Sequence, residues 1–145
     1  MTDEDKKLLT RIYQDSRVGA LGCEEVLKRC TNPAFKEIIS NQMKEYNSIA
    51  KECLQIANNH KTKLPDNSFF KKMKQIVMIN FSLLFKETDR RIAEMMITGT
   101  VMGIIDAIKA LYDLDKADKT ILEIGKKHQA LQEKYVESLK AFLEG

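Results

Sequence analysis

Hydrophobic positions recur at helical spacing along most of the chain. Leu9, Ile12, Ser16, Gly19, Cys23, Val26 and Cys30 alternate steps of three and four residues, and so do Phe35, Ile39, Gln42, Tyr46, Ile49, Cys53 and Ile56. Such spacing keeps one face of an α-helix turned toward its neighbours. The first seam predicts helix α1 over about residues 3–30, and the second predicts α2 over about 33–59. Thr2 ahead of Asp3, Glu4 and Asp5 reads as an N-cap with acids in the first turn, and Asn32-Pro33 as an N-cap followed by proline at the first helical position. The short break between them favours an antiparallel hairpin.

A polar linker from Asn58 to Asn67 leads to Ser68, where helical character resumes through Phe69, Met73, Ile76, Val77 and Leu84. An unbroken helix from 68 to 114 would be about 70 Å long at 1.5 Å per residue, against about 40 Å for α1 and α2. The polar cluster Lys86 to Arg91, with Thr88 as a cap, is therefore read as a break. This leaves α3 over about 68–86 and α4 over about 89–114. A last seam of Ile121, Ile124, His128, Leu131, Tyr135 and Phe142 predicts α5 over about 118–143. Alternating strand patterns with hairpin turns are missing, so residues 1–145 are expected to form one all-α domain. Its long helices come as two hairpins, α1–α2 and α4–α5. The connection over 60–87 can return the chain to the starting end, making α2 and α4 parallel, as in a ferritin-like four-helix bundle with an additional crossover helix. The alternative is an up-down-up-down bundle with a fifth helix laid against it.

Three apolar runs carry a family resemblance: EYNSIA (45–50) on α2, MMITGTVMG (95–103) on α4 and YVESLKAFL (135–143) on α5. With the spacing of hairpins and crossover, they resemble small uncharacterised bacterial proteins of the ferritin-like class. The resemblance covers nearly the whole chain and implies a fold and a lost or altered metal site, not an activity.

Ferritin-like di-iron centres use one Glu from each of two helices and a Glu-x-x-His from each of the other two. That motif is absent. Its nearest counterparts are Gln42-Met-Lys-Glu45 and Gly125-Lys-Lys-His128, and the chain has only two histidines, with His60 in the linker. The expectation is therefore no cofactor. The alternative is an altered iron or manganese site drawn from Glu45, Asp106, His128, Glu133 and Glu24. Antiparallel partners across a turn near 116 sum to about 233, which sets Asp106 beside His128 and predicts a structural hydrogen bond between them. Gly99 and Gly103, facing the small residues around Gly19, are expected to let backbones approach closely enough to offset the cost of glycine in a helix.

Composition adds bounds. A chain of 145 residues buries enough surface to fold without disulfides or metal. The net charge of +3, from 24 basic and 21 acidic residues, singles out no charged partner. Cys23, Cys30 and Cys53 show no CxxC spacing, and the MTDEDKK start has no apolar signal region, which points to a reducing, cytoplasmic setting. The longest uncharged runs, Gln75–Phe85 and Met95–Ile105, are eleven residues each, short of the roughly 20 that span a bilayer. Glycine-rich phosphate loops, GxSxG and paired nucleophile motifs are missing, so neither an enzyme nor a small-molecule substrate is expected.

The crossover helix carries the least ordinary local pattern. Lys61, Lys63, Lys71, Lys72 and Lys74 against Asp66 give this stretch +4. Beside them lie Phe69, Phe70, Met73, Ile76, Val77, Phe81 and Leu84, more apolar surface than one contact with a bundle covers. Burial in a homodimer is the first expectation and an acidic membrane surface the second. Nucleic acid is not expected, since aromatics do not alternate with the lysines. The overall expectation is a non-enzymatic, soluble scaffold or interaction protein.

Overall fold

The computed structural model describes residues 1–65, 67–82 and 87–144. Within them five α-helices form: α1 Asp3–Leu27, α2 Pro33–Asn59, α3 Asn67–Ser82, α4 Asp89–Asp113 and α5 Lys119–Lys140, the last running into a 3-10 turn over Ala141–Leu143. The protein is all-α among the described residues, as the spacing predicts. Residues 83–86, which include Leu84, lie outside the described set.

Each predicted cap is made. The Thr2 hydroxyl accepts from the Asp5 amide at 3.1 Å while the Asp5 carboxylate accepts from the Thr2 amide at 2.8 Å, a reciprocal capping box. Asn32 accepts from Ala34 and Phe35 ahead of α2, and Thr88 from Arg91 ahead of α4. Asp118 caps α5 through the Thr120 amide. α1 ends at Leu27 rather than near 30, because the Val26 carbonyl accepts from both Arg29 and Cys30 at 2.9 Å and winds the chain into the turn that delivers Asn32.

Contacts between distant segments set the helix directions. Asp89, first residue of α4, accepts from the amides of Thr31 (3.1 Å) and Asn32 (2.9 Å), so α4 starts at the α1–α2 turn. The Asp118 amide donates to Asp5 at 2.6 Å, which ties the start of α5 to the start of α1. Phe35 stacks on Phe142 with centroids 4.7 Å apart, placing the end of α5 beside the start of α2. Hence α2 runs parallel to α4, α1 runs parallel to α5, and the crossover traverses the length of the bundle. α1 packs on α2, α4 and α5, and α5 also packs on α2. Leu9, Phe35, Ile39, Ile92 and Leu139 have no accessible surface in the shared core.

α3 lies across the outer side of α1. Phe70 meets Tyr13 edge-on at 6.0 Å and sits under the Arg17 guanidinium at 4.7 Å, Val77 is buried, and Phe81 approaches Gly22. Much of the apolar surface expected to face a partner is thus spent on the chain's own α1. Lys71, Lys72 and Lys74 are exposed, and so are Ile76, Met78 and Ile79.

α4 corrects the membrane arithmetic. Counted over 18 residues instead of uncharged runs, it reaches a mean hydropathy of 1.4, long and apolar enough by length and composition to cross a bilayer. Only 22% of that stretch is buried. Its inner face packs on α5, whereas Val101, Met102, Ile105, Ile108 and Tyr112 point outward.

Candidate polar centre

At mid-height the bundle is polar. α1 contributes Arg11, Asp15 and Ser16, α2 contributes Gln42 and Tyr46, α4 contributes Thr100 and Asp106, and α5 contributes His128 and Gln132. The i, i+4 spacing of Arg11 with Asp15, of Gln42 with Tyr46 and of His128 with Gln132 stacks each pair on one side of its helix.

The first part of this centre joins α1 to α4. Arg11 donates through Nε to Oδ2 of Asp106 at 2.9 Å and through Nη2 to Oδ1, a two-pronged pairing. Asp15 lies one turn further along α1. Burial, a hydrogen bond to Asp106 and the charge of Asp106 push its carboxyl up to about 8, against the opposing pull of Arg11. At neutral pH Asp15 therefore keeps its proton and donates it to Asp106. Asp106 is held below the usual carboxylate range chiefly by Arg11.

His128 is 1% exposed and sits behind this group. Burial pushes its imidazole down to about 4, with the charge of Asp106 acting the other way, so it is neutral at physiological pH. Its Nε2 has no hydrogen-bond partner. The expected Asp106–His128 hydrogen bond is not formed. Asp106 has Arg11 as its partner instead. Asp106 sits on the edge of α4 that faces α1, where a guanidinium supplies two donors, and His128 faces inward. Arg11, Asp15 and His128 line a chamber of about 10 Å³ together with Leu8, Ile12 and Gly125. Arg11 and Asp15 escaped the sequence reading because both flank the seam through Ile12. The signal was there, as an arginine and an aspartate four apart beside an apolar stripe.

The second part is more deeply buried. Gln42 Nε2 donates to the Tyr46 hydroxyl at 3.1 Å, while the Thr100 hydroxyl donates to the Met96 carbonyl at 2.7 Å. Burial pushes the Tyr46 phenol up, so it stays neutral. Ser16 Oγ, Gln42 Oε1 and Gln132 Oε1 are buried without partners. A Cβ at Gly19 would lie 2.7 Å from the Tyr46 ring, and one at Gly103 would run into the Gln132 amide. Those two glycines make room for large polar side chains. The expectation of close packing fails at Gly99, where nothing lies within 4 Å of a Cβ. That position is exposed, on a side of α4 that none of the described residues approaches.

The candidate metal ligands are scattered. Glu45 accepts from the Tyr135 hydroxyl at 2.9 Å and pairs with Lys134 at 3.5 Å. Glu133 accepts from Gln129 on the surface, and Glu24 lines a groove between α1 and α3. No group of three or more His, Cys, Asp or Glu side chains among the described residues is placed to hold a metal ion. The donors around Asp106 do not fit iron or manganese either. Both oxygens of Asp106 face the guanidinium, and Asp15 carries a proton. The three cysteines are buried free thiols, with Cys23 and Cys53 pushed up to about 12, so none is an activated nucleophile.

A larger groove of about 580 Å³ runs between the first turns of α1 and the last of α4. Lys6, Lys7, Arg11 and Lys109 line it together with Asp3 and Asp113, with Arg11 already paired to Asp106. Comparison with known proteins finds no matching family model, no matching curated protein and no matching solved structure.

Proposed function

We propose that this protein is a non-enzymatic helical-bundle scaffold of ferritin-like topology, working by association as a homodimer in a reducing compartment such as the cytoplasm. The contrast between its centre and its outer face carries the reading. A chamber of about 10 Å³ admits at most one water and no substrate. Outside, five large apolar side chains of α4 stand in solvent, with Tyr112 81% exposed. An apolar patch of that kind marks an interaction surface.

The ferritin-like assignment is supported by the parallel course of α2 and α4 and by the single long crossover. In place of ligands the waist holds two glutamines, a tyrosine and a neutral histidine, so the reading is of a bundle without a metal centre. Buried free cysteines suit a reducing compartment. Sedimentation equilibrium over a range of concentrations tests association directly. Twice the chain mass of 16.7 kDa is expected, and a monomer throughout rejects the proposal. The hydropathy of α4 favours one other reading, attachment to lipid, for which co-sedimentation with anionic vesicles is the test.

A further inference from the structure

We propose that the second copy docks antiparallel along α4, about a twofold axis level with Gly103. This rests on the homodimer reading and adds to it the surface, the direction and the register. Glu94, Thr98, Val101, Ile105, Ile108 and Tyr112 step by four and three residues in alternation along α4. All six are exposed, and they lie opposite the helix face that buries Ile92, Met96, Thr100 and Ala107. α4 thus carries two apolar faces. One is used within the chain, and the other has the 3.5-residue period that helix-on-helix packing requires. At 1.5 Å per residue this outer seam is about 27 Å long.

An antiparallel partner meets the seam in layers whose residue numbers sum to 206. Val101 then faces the partner's Ile105, Thr98 faces the partner's Ile108, and Glu94 faces the partner's Tyr112. Twofold symmetry repeats each layer, so one surface serves both copies.

Charge selects this direction over the parallel one. Glu94 stands at one end of the seam, and Lys109 flanks the other. Running antiparallel brings each Glu94 within about one helical turn of both the partner's Lys109 and the partner's Asp113, so unlike and like charges offset there. A parallel pair would set Glu94 against Glu94 and Lys109 against Lys109. The Arg91–Glu94 pair on one helix, at 2.9 Å, has both side chains about half exposed, so it leaves Glu94 open to a second partner.

The test is a charge-reversal cycle read as the dimer dissociation constant from sedimentation, with helicity checked by circular dichroism. Lys109→Glu should weaken the dimer by about tenfold, since it replaces two attractions with two repulsions, whereas Glu94→Lys should stay near the parent because unlike and like charges still offset. The double variant should return to within about threefold of the parent or bind more tightly. Ile105→Lys, at the centre of the seam, should be monomeric with unchanged helicity. A dimer indifferent to Lys109→Glu, or a double variant weaker than that single one, overturns this register and leaves the homodimer standing. A parent chain that is monomeric at every concentration, or that binds anionic vesicles as a monomer, overturns both.

Discussion

Arg11 of α1 holds both carboxylate oxygens of Asp106 on α4, while Asp15, one turn along from Arg11, shares its proton with the same carboxylate. Three side chains thereby close the α1–α4 side of the bundle. The pairing is peripheral, with Arg11 49% and Asp106 32% exposed, which limits what solvent leaves of its strength.

Removing the guanidinium should therefore cost a modest amount. Arg11→Ala is expected to lower unfolding free energy by about 1 kcal/mol, above an ordinary surface ion pair because the geometry is two-pronged. Arg11→Lys should recover only part of that loss, since an ammonium cannot donate along two parallel directions. Urea titration of Arg11→Ala, Asp106→Asn and the double variant gives the coupling. A coupling near zero would show the pair to be incidental.

Stability should be level in weak acid and fall toward weak base. Asp15 holds its proton up to about 8 in the fold, against 3.8 unfolded, so between those values the folded chain binds the extra proton and rising pH favours unfolding. His128 acts in reverse. Its folded value of about 4 lies below the unfolded 6.5, so over that interval the unfolded chain binds more protons and rising pH favours folding. The two slopes oppose each other from about 4 to 6.5, leaving Asp15 alone from 6.5 to 8. Asp15→Asn should remove the decline above 6.5 and expose the rise below it. Melting temperatures of both proteins across this range decide the matter, and parallel curves would refute it.

Much of this was legible in the sequence, and the failures share one cause. Helix number, caps and the break near Thr88 follow from local spacing and from side chains that reach their own backbone. The parallel course of α2 and α4 was readable because a 28-residue connection can span the bundle. Partner choice was not readable. Residue sums across a hairpin compare α4 only with α5, and they placed Asp106 at the depth of His128 while remaining blind to α1, where Arg11 waits. Gly99 and Gly103 look equivalent in sequence, four apart on one stripe. They differ because the neighbouring helices meet α4 at one and miss it at the other. Crossover aromatics such as Phe70 signalled a need for burial without saying whether the cover was this chain or another.

The glycines of the waist should separate under substitution. Gly99→Ala has open space and should stabilise by up to about 1 kcal/mol through helix propensity. Gly19→Ala meets the buried Tyr46 ring at 2.7 Å and should destabilise by about 1–3 kcal/mol. Gly103→Ala presses on the far end of a glutamine, which can swing aside, so a smaller loss is expected, with Gly103→Leu well above it. The order Gly99, Gly103, Gly19 in thermal melts of the three alanine variants is the readout. A destabilised Gly99→Ala would contradict the open face of α4.

Asp5 should be among the costliest single polar residues to lose, though it lies far from the waist. One oxygen accepts from the Thr2 amide and the other from the Asp118 amide at 2.6 Å, so a single carboxylate completes the cap of α1 and fixes the start of α5 against it. The Thr2 amide and then the Asp118 amide hold its carboxyl below the usual range, and the stability this provides is present above 3.8 and lost as pH falls further. Asp5→Ala strips two helix starts of an acceptor at once. At about 1 kcal/mol for a cap, and more for a hydrogen bond to a charged group, a loss of about 2–3 kcal/mol is expected. Asp5→Asn keeps one acceptor oxygen and should lose about half as much. Hydrogen exchange would localise the effect, with faster exchange at the Asp118 and Thr120 amides expected in Asp5→Ala. Unchanged protection there would mean that the α1–α5 junction is held by its apolar neighbours alone.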